Sequence, residues 1–181
     1  NNFVTNYSMS VNASMTGANY TNSSIANGGY NVKFYCNDTF GNVNSSANVS
    51  FSLDTSNPGV TITSPEAKTY SSSSILFNFT LNENGSCQYS LNSGVTNFTM
   101  TSSANGLYHN STNLSIADGS YTVNAYCNDT LGNKNYTSSI VFSKDTTAPD
   151  INFTGQTPSS GSSQTGTSIP VNISSSDASE H

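Results

Sequence analysis

Gly29-Tyr30-Asn31-Val32-Lys33-Phe34-Tyr35-Cys36-Asn37-Asp38-Thr39-Phe40-Gly41-Asn42 returns as Ser120-Tyr121-Thr122-Val123-Asn124-Ala125-Tyr126-Cys127-Asn128-Asp129-Thr130-Leu131-Gly132-Asn133, 91 residues further on. The same offset carries Asp54 to Asp145, Pro58 to Pro149 and Val4-Thr5-Asn6 to Val95-Thr96-Asn97. After Pro149 the register slips by about three residues, so that Ile75–Thr80 corresponds to Ile169–Ser174. Chance does not produce the shared Tyr-Cys-Asn-Asp-Thr-x-Gly-Asn. The period is that of a domain, since solenoid units run to only ~20–50 residues.

Within one period the apolar residues alternate in short runs divided by turn formers, the pattern of strands with one buried face. The runs are Val60 and Ile62; Ile75, Phe77, Phe79 and Leu81; Cys87–Leu91; Val95–Met100; Leu114 and Ile116; Tyr121, Val123, Ala125 and Cys127; and Ile140 with Phe142. No segment keeps a helical period. About seven short strands in such a length predict an all-β protein built of antiparallel two-sheet sandwiches, each of about 91 residues.

Cys87-x-Tyr89-Ser90, the Gly/Ser-Tyr-x-Val-x-x-Tyr-Cys-Asn-Asp segment and Asp145-Thr146-Thr147-Ala148-Pro149 together resemble the tandem immunoglobulin-like (Ig-like) domains of microbial cell-surface and extracellular fibre proteins, archaeal ones especially. The resemblance covers nearly the whole chain. It implies an Ig-like fold and a place outside the cell, and it names no ligand. The chain departs from antibody domains in having no Trp and in placing its first Cys after the Ile75–Leu81 strand.

On this reading residues 55–145 are one complete Ig-like domain. Residues 1–54 match 92–145 and form the C-terminal part of a first domain, and residues 146–181 supply the N-terminal strands of a third. Asp54–Pro58 and Asp145–Pro149 are short linkers that Pro stiffens by fixing φ. End-to-end modules of limited freedom suit a rod.

Composition narrows the function. Charged residues are 8% of the chain, with four Lys, no Arg and a net charge of −6. Such a chain has no basic patch to neutralise phosphates, so nucleic acid is excluded as a partner. No apolar run is long enough for a membrane span, and no signal peptide stands in this stretch. In place of charge there are 27 Asn and 57 Ser plus Thr.

Cys87 precedes one strand and Cys127 ends another of the same period; on adjacent antiparallel strands the two lie side by side and bond. Two buried free thiols are the alternative. Closing a loop of this size contributes roughly 4 kcal/mol by chain-entropy reasoning and implies an oxidising compartment. Cys36 is the repeat partner of Cys127, so its mate falls outside residues 1–181.

Asn-x-Ser/Thr occurs 16 times, at Asn6, Asn12, Asn19, Asn22, Asn37, Asn44, Asn48, Asn78, Asn84, Asn97, Asn110, Asn113, Asn128, Asn135, Asn152 and Asn172. Composition alone gives about eight such acceptor tripeptides. Those on strands, among them Asn37, Asn78, Asn97, Asn128, Asn152 and Asn172, fall on the outward parity. Abundant N-linked sugar is therefore expected, replacing charge as the solubilising device. Outward polar residues are also what any one-sided strand carries.

No catalytic set or metal site is legible. His109 and His181 are the only histidines, and His109 reads as a surface residue of a strand or loop. Asp38 and Asp129 read as turn formers through side-chain-to-backbone bonds. No cofactor is expected; calcium at Asp54 or Asp145 is a minor alternative, because linkers of extracellular sandwiches can bind it.

The leading expectation is a non-enzymatic, glycosylated structural rod at the cell surface or in an extracellular fibre, stalk or surface layer. It would continue head to tail with copies of itself, by covalent repeats or by strand donation, with Ile151–Phe153 and Ile169–Ile173 covering the sheets of residues 1–54. The alternatives are an adhesin that grips cell-surface glycans through outward Tyr35 and Tyr126, or a spacer within a large secreted enzyme. The tyrosines are read first as packing under neighbouring sugars or beside a sheet edge.

Overall fold

A computed structural model describes residues 5–14 and 16–177, and every regular element among them is a β-strand. Val4 and His181 lie outside the described residues. The chain divides into two compact units, Asn1–Ser56 and Asn57–His181.

The first unit holds β1 (Ser10–Val11), β2 (Ala18–Asn19), β3 (Gly28–Lys33), β4 (Cys36–Asn37), β5 (Val43–Asn44) and β6 (Asn48–Leu53). They make three separate two-stranded antiparallel ribbons, β1-β2, β3-β6 and β4-β5. None of their apolar side chains is fully buried.

The second unit holds β7 (Val60–Ser64), β8 (Thr69–Tyr70), β9 (Ile75–Leu81), β10 (Gly85–Ser90), β11 (Phe98–Thr99), β12 (Thr101–Ser102), β13 (Tyr108–Asn113), β14 (Gly119–Asp129), β15 (Lys134–Asn135) and β16 (Ser139–Lys144), then β17 (Asp150–Phe153) and β18 (Ile173–Ser176). One sheet runs β11-β10-β14-β16-β8 with β15 beside β14; the other runs β12-β13-β9-β7. All these pairings are antiparallel except β8 on β16. The chain passes from one sheet to the other at buried Met100, whose amide bonds the Cys87 carbonyl; of the predicted Val95–Met100 strand only Phe98–Thr99 forms, the second sheet taking up Thr101–Ser102 beyond it.

The core is the inward parity of both sheets. Ile75, Phe77, Phe79 and Leu81 meet Cys87, Tyr89, Val123, Ala125, Cys127 and Phe142, and each is buried. Phe77 and Tyr89 stack across the sheets at 4.0 Å, and Phe98 stacks on the far side of Tyr89 at 5.0 Å. Phe142 packs edge-on to Phe77 and stacks on Tyr121. Burying Phe77, Tyr89 and Phe142 is worth ~1.5–3 kcal/mol each, which is why a chain so poor in aliphatics closes one full sandwich. Leu114 departs from its expected place: it sits exposed just past the end of β13, and Ile116 alone turns inward.

The repeat reaches down to strand register. Tyr30 faces Phe51 as Tyr121 faces Phe142; Cys36 faces Asn44 as Cys127 faces Asn135; Ser10 faces Asn19 as Thr101 faces Asn110. Among the described residues β17 and β18 pair only with each other, and Phe153 opposite Ile173 repeats Ile62 opposite Phe79 with the three-residue slip. Ile151, Phe153 and Ile173 are exposed on that hairpin.

Candidate functional site

Two turn devices recur in both units. In the first, Oδ1 of Asp129 accepts the amides of Leu131 and Asn133 while Oδ2 accepts from the Asn133 side chain. Asp38 does the same with Phe40 and Asn42. Gly41 and Gly132, at φ 85° and 93°, supply the left-handed residue that closes each turn. The Asn42 side chain and amide hold Asp38 below the usual carboxylate value; for Asp129 burial pushes upward, but the bonds from Asn133 and its neighbours outweigh it. The turn-forming role expected of both acids is what they perform.

The second device was not legible. Asp118 accepts from Lys144 Nζ at 2.9 Å and from the amide and hydroxyl of Thr146, tying the start of β14 to the segment after β16. Lys144, chiefly, keeps the carboxyl far below its ordinary range. Asn27, the repeat equivalent of Asp118, accepts from the amide and hydroxyl of Thr55, the equivalent of Thr146. Beside each clasp a tyrosine hydroxyl bonds a carbonyl four residues upstream, Tyr30 to Ala26 and Tyr121 to Ala117. The one available signal was that position 27/118 and position 55/146 both hold hydrogen-bonding residues in each repeat.

Cys87 and Cys127 are bonded across β10 and β14, with Cα atoms 4.2 Å apart, and Cys36 is free and exposed. His109 corrects the sequence reading: it is buried on β13, not at the surface. Its Nδ1 accepts from the Ser102 hydroxyl at 2.9 Å and its Nε2–H donates to the Gly106 carbonyl at 3.0 Å. A hydroxyl on an imidazole has the outline of a nucleophile and base. Here, however, the ring is enclosed and its second nitrogen meets a carbonyl rather than an orienting carboxylate, so the pair fastens the β12–β13 turn. Asp54 accepts from the Asn27 side chain and from the Ser56 amide, and Asp145 accepts the Thr147 amide.

The acceptor asparagines fall into distinct surroundings. Asn22, Asn44, Asn113 and Asn135 each accept, through Oδ1, the amide of the Ser or Thr two residues on. These are Asx turns, those of Asn44, Asn113 and Asn135 at the last residue of a strand, and Asn22/Asn113 and Asn44/Asn135 are repeat pairs. Asn135 also donates to the Pro58 carbonyl, and Asn128 donates to the Asp129 carbonyl while accepting from Ser86. Asn12 accepts the amides of Thr16 and Gly17. Asn6, Asn19, Asn37, Asn48, Asn84, Asn97, Asn110, Asn152 and Asn172 are exposed, and Asn78 is half-buried on β9. Part of the excess of acceptor tripeptides is thus turn chemistry, which parity on strands did not anticipate. Of the two outward tyrosines, Tyr35 is exposed with Lys33 Nζ 5.3 Å from its ring, whereas Tyr126 is half-buried against Tyr136.

Two facing sheets, antiparallel but for β8, with a buried disulfide in one of them define an Ig-like β-sandwich. Residues 14–80 match the family model of the bacterial Ig-like domain (group 3), a span that takes the late strands of one repeat and the opening strands of the next. No curated protein matches. A crystal structure of an engineered protein shares 16% identity at a TM-score of 0.40 over 49% of this chain, and the match spans 20% of that protein's chain. Ig-like domains of this kind are typically non-catalytic and often structural, surface-associated or extracellular. Among the described residues no helix is long and apolar enough to cross a membrane.

Proposed function

We propose that the protein is a non-enzymatic, N-glycosylated structural element of an extracellular fibre, stalk or surface layer, built of Ig-like modules that continue head to tail. One observation carries the reading: residues buried in the complete sandwich are uncovered at the equivalent positions of the first unit. Phe51 is 41% exposed where Phe142 is 1%, and Met9 is 38% exposed where Met100 is 5%. Tyr30 and Phe51, opposite each other on β3 and β6, border a shallow hollow open to solvent. In the complete sandwich the sheet holding β7 and β9 covers the corresponding face; β17 and β18 repeat that pair in register and expose their own apolar side. A hydrophobic face and unpaired ribbon edges invite association. Covalent continuation is the simpler route and donation between chains the other; either is a heterologous contact that propagates.

The test is a fusion of two copies through about five residues, read by amide hydrogen exchange. Strands β3 and β6 of the second copy are expected to gain the protection of β14 and β16. Exchange there as fast as in the single copy would overturn the proposal.

A further inference from the structure

Four of the ten tyrosines, Tyr20, Tyr35, Tyr108 and Tyr126, stand two residues before an acceptor asparagine. Random placement gives about one such pair at this density of tripeptides. On a strand, residues two apart share a face, so the ring, the acceptor amide and the hydroxyl two further on form one outward row.

Only in the complete sandwich can the rows be compared with all neighbours in place. On β13 the row is Tyr108, Asn110 and Thr112, all exposed, with buried His109 between the first two marking the opposite face. Tyr108 is 60% exposed, and among the described residues neither its ring nor the Asn110 amide has a side-chain partner. Thr101 and Asn78 flank Asn110 on the adjoining strands. The other row of this sandwich differs at each atom that matters: Tyr126 is covered by Tyr136, and the Asn128 amide is engaged by Ser86 and the Asp129 carbonyl. Asn113 and Asn135 are held in their Asx turns, with Nδ2 given to Tyr89 and to Pro58.

We infer that Asn110 is a glycan acceptor whose first sugar lies on the Tyr108 ring, while Asn113, Asn128 and Asn135 serve the fold and stay unmodified. This rests on the glycosylation in the function proposed above and assigns its sites. The step is a glycosyl transfer from a sugar activated at C1 as a phosphate ester of a lipid carrier. Asn110 Nδ2 bonds C1 as the C1–O bond to phosphate breaks; the phosphate leaves with the electron pair and the amide gives one proton to the transferase's base. Afterwards the C–H face of the sugar covers a ring otherwise left to water, which stabilises the folded chain.

The full chain is secreted from a glycosylating host, and occupancy at each asparagine is read by peptide mass spectrometry after enzymatic sugar release in heavy-oxygen water. Asn110 is expected to be occupied at least fivefold more than Asn113, Asn128 or Asn135. Removing the sugar should lower the thermal midpoint in the parent and in Tyr108→Phe, and leave it unchanged in Tyr108→Ala. Sugar elsewhere with none on Asn110, or an equal effect of sugar removal in Tyr108→Ala, would overturn this assignment and leave the parent reading standing. A chain bare at every acceptor would overturn both.

Discussion

At the residue scale, His109 shows what periodicity conveys and what it misses. Its neighbours Tyr108 and Asn110 are outward, so parity alone places it inward; its polarity argued for the surface, and two hydrogen bonds removed that objection. Burial, opposed by the bond to Gly106, leaves the imidazole with a pKa below its ordinary 6.5. The unfolded chain then binds the proton first as pH falls, so stability present above about pH 6.5 declines below it until the folded ring titrates too. Thermal midpoints measured from pH 7.5 to 5 should fall in the parent. In His109→Gln they should start lower and lose that decline; a slope unchanged by the substitution would refute the assignment, because His181 is common to both chains. The Asp38 and Asp129 turns were legible because an acid before x-Gly-Asn has a local job. The Asp118–Lys144 clasp was not, because its partners are brought together only by the pairing of β14 with β16.

At the element scale, the strands carrying strict alternation appeared where their pattern put them: β9, β14 and β16 turn the predicted residues inward. The Val95–Met100 run did not: Asn92 accepts the amides of Val95 and Thr96 in a turn, which leaves only Phe98–Thr99 to pair with β10 before the chain changes sheets. The disulfide belongs to this scale, because it joins directly opposed residues of β10 and β14. Replacing both cysteines, Cys87→Ser with Cys127→Ser, releases a loop of 40 residues in the unfolded chain and should cost about 4 kcal/mol. Urea unfolding in non-reducing buffer would measure it, and a loss under about 1 kcal/mol would mean that the bond constrains little beyond what the sheet already does.

For the whole molecule, the repeat makes a comparison that a single domain cannot. The Tyr30–Phe51 and Tyr121–Phe142 pairs are alike locally: the same strand register, with ring centroids 5.5 and 5.7 Å apart. They differ in what packs on them: Phe142 meets Phe77 from the facing sheet and Tyr70 from the adjoining β8, whereas Phe51 is left partly open to solvent. The sequence disclosed the repeat and hence the pairing, but exposure depends on which strands are present to cover a face. Truncating Phe142 to Ala removes packed atoms and leaves a cavity, a loss of ~3–5 kcal/mol. Truncating Phe51 to Ala removes a ring that already meets water on one side, and should cost under about 1 kcal/mol in the single chain. The two substitutions, followed by fluorescence or hydrogen exchange through the unfolding of each unit, therefore separate a closed module from an open one. In the two-copy fusion the cost of Phe51→Ala in the second copy should rise toward that of Phe142→Ala. If it stays small there, the face of β3 and β6 is not the surface on which a neighbouring module is completed.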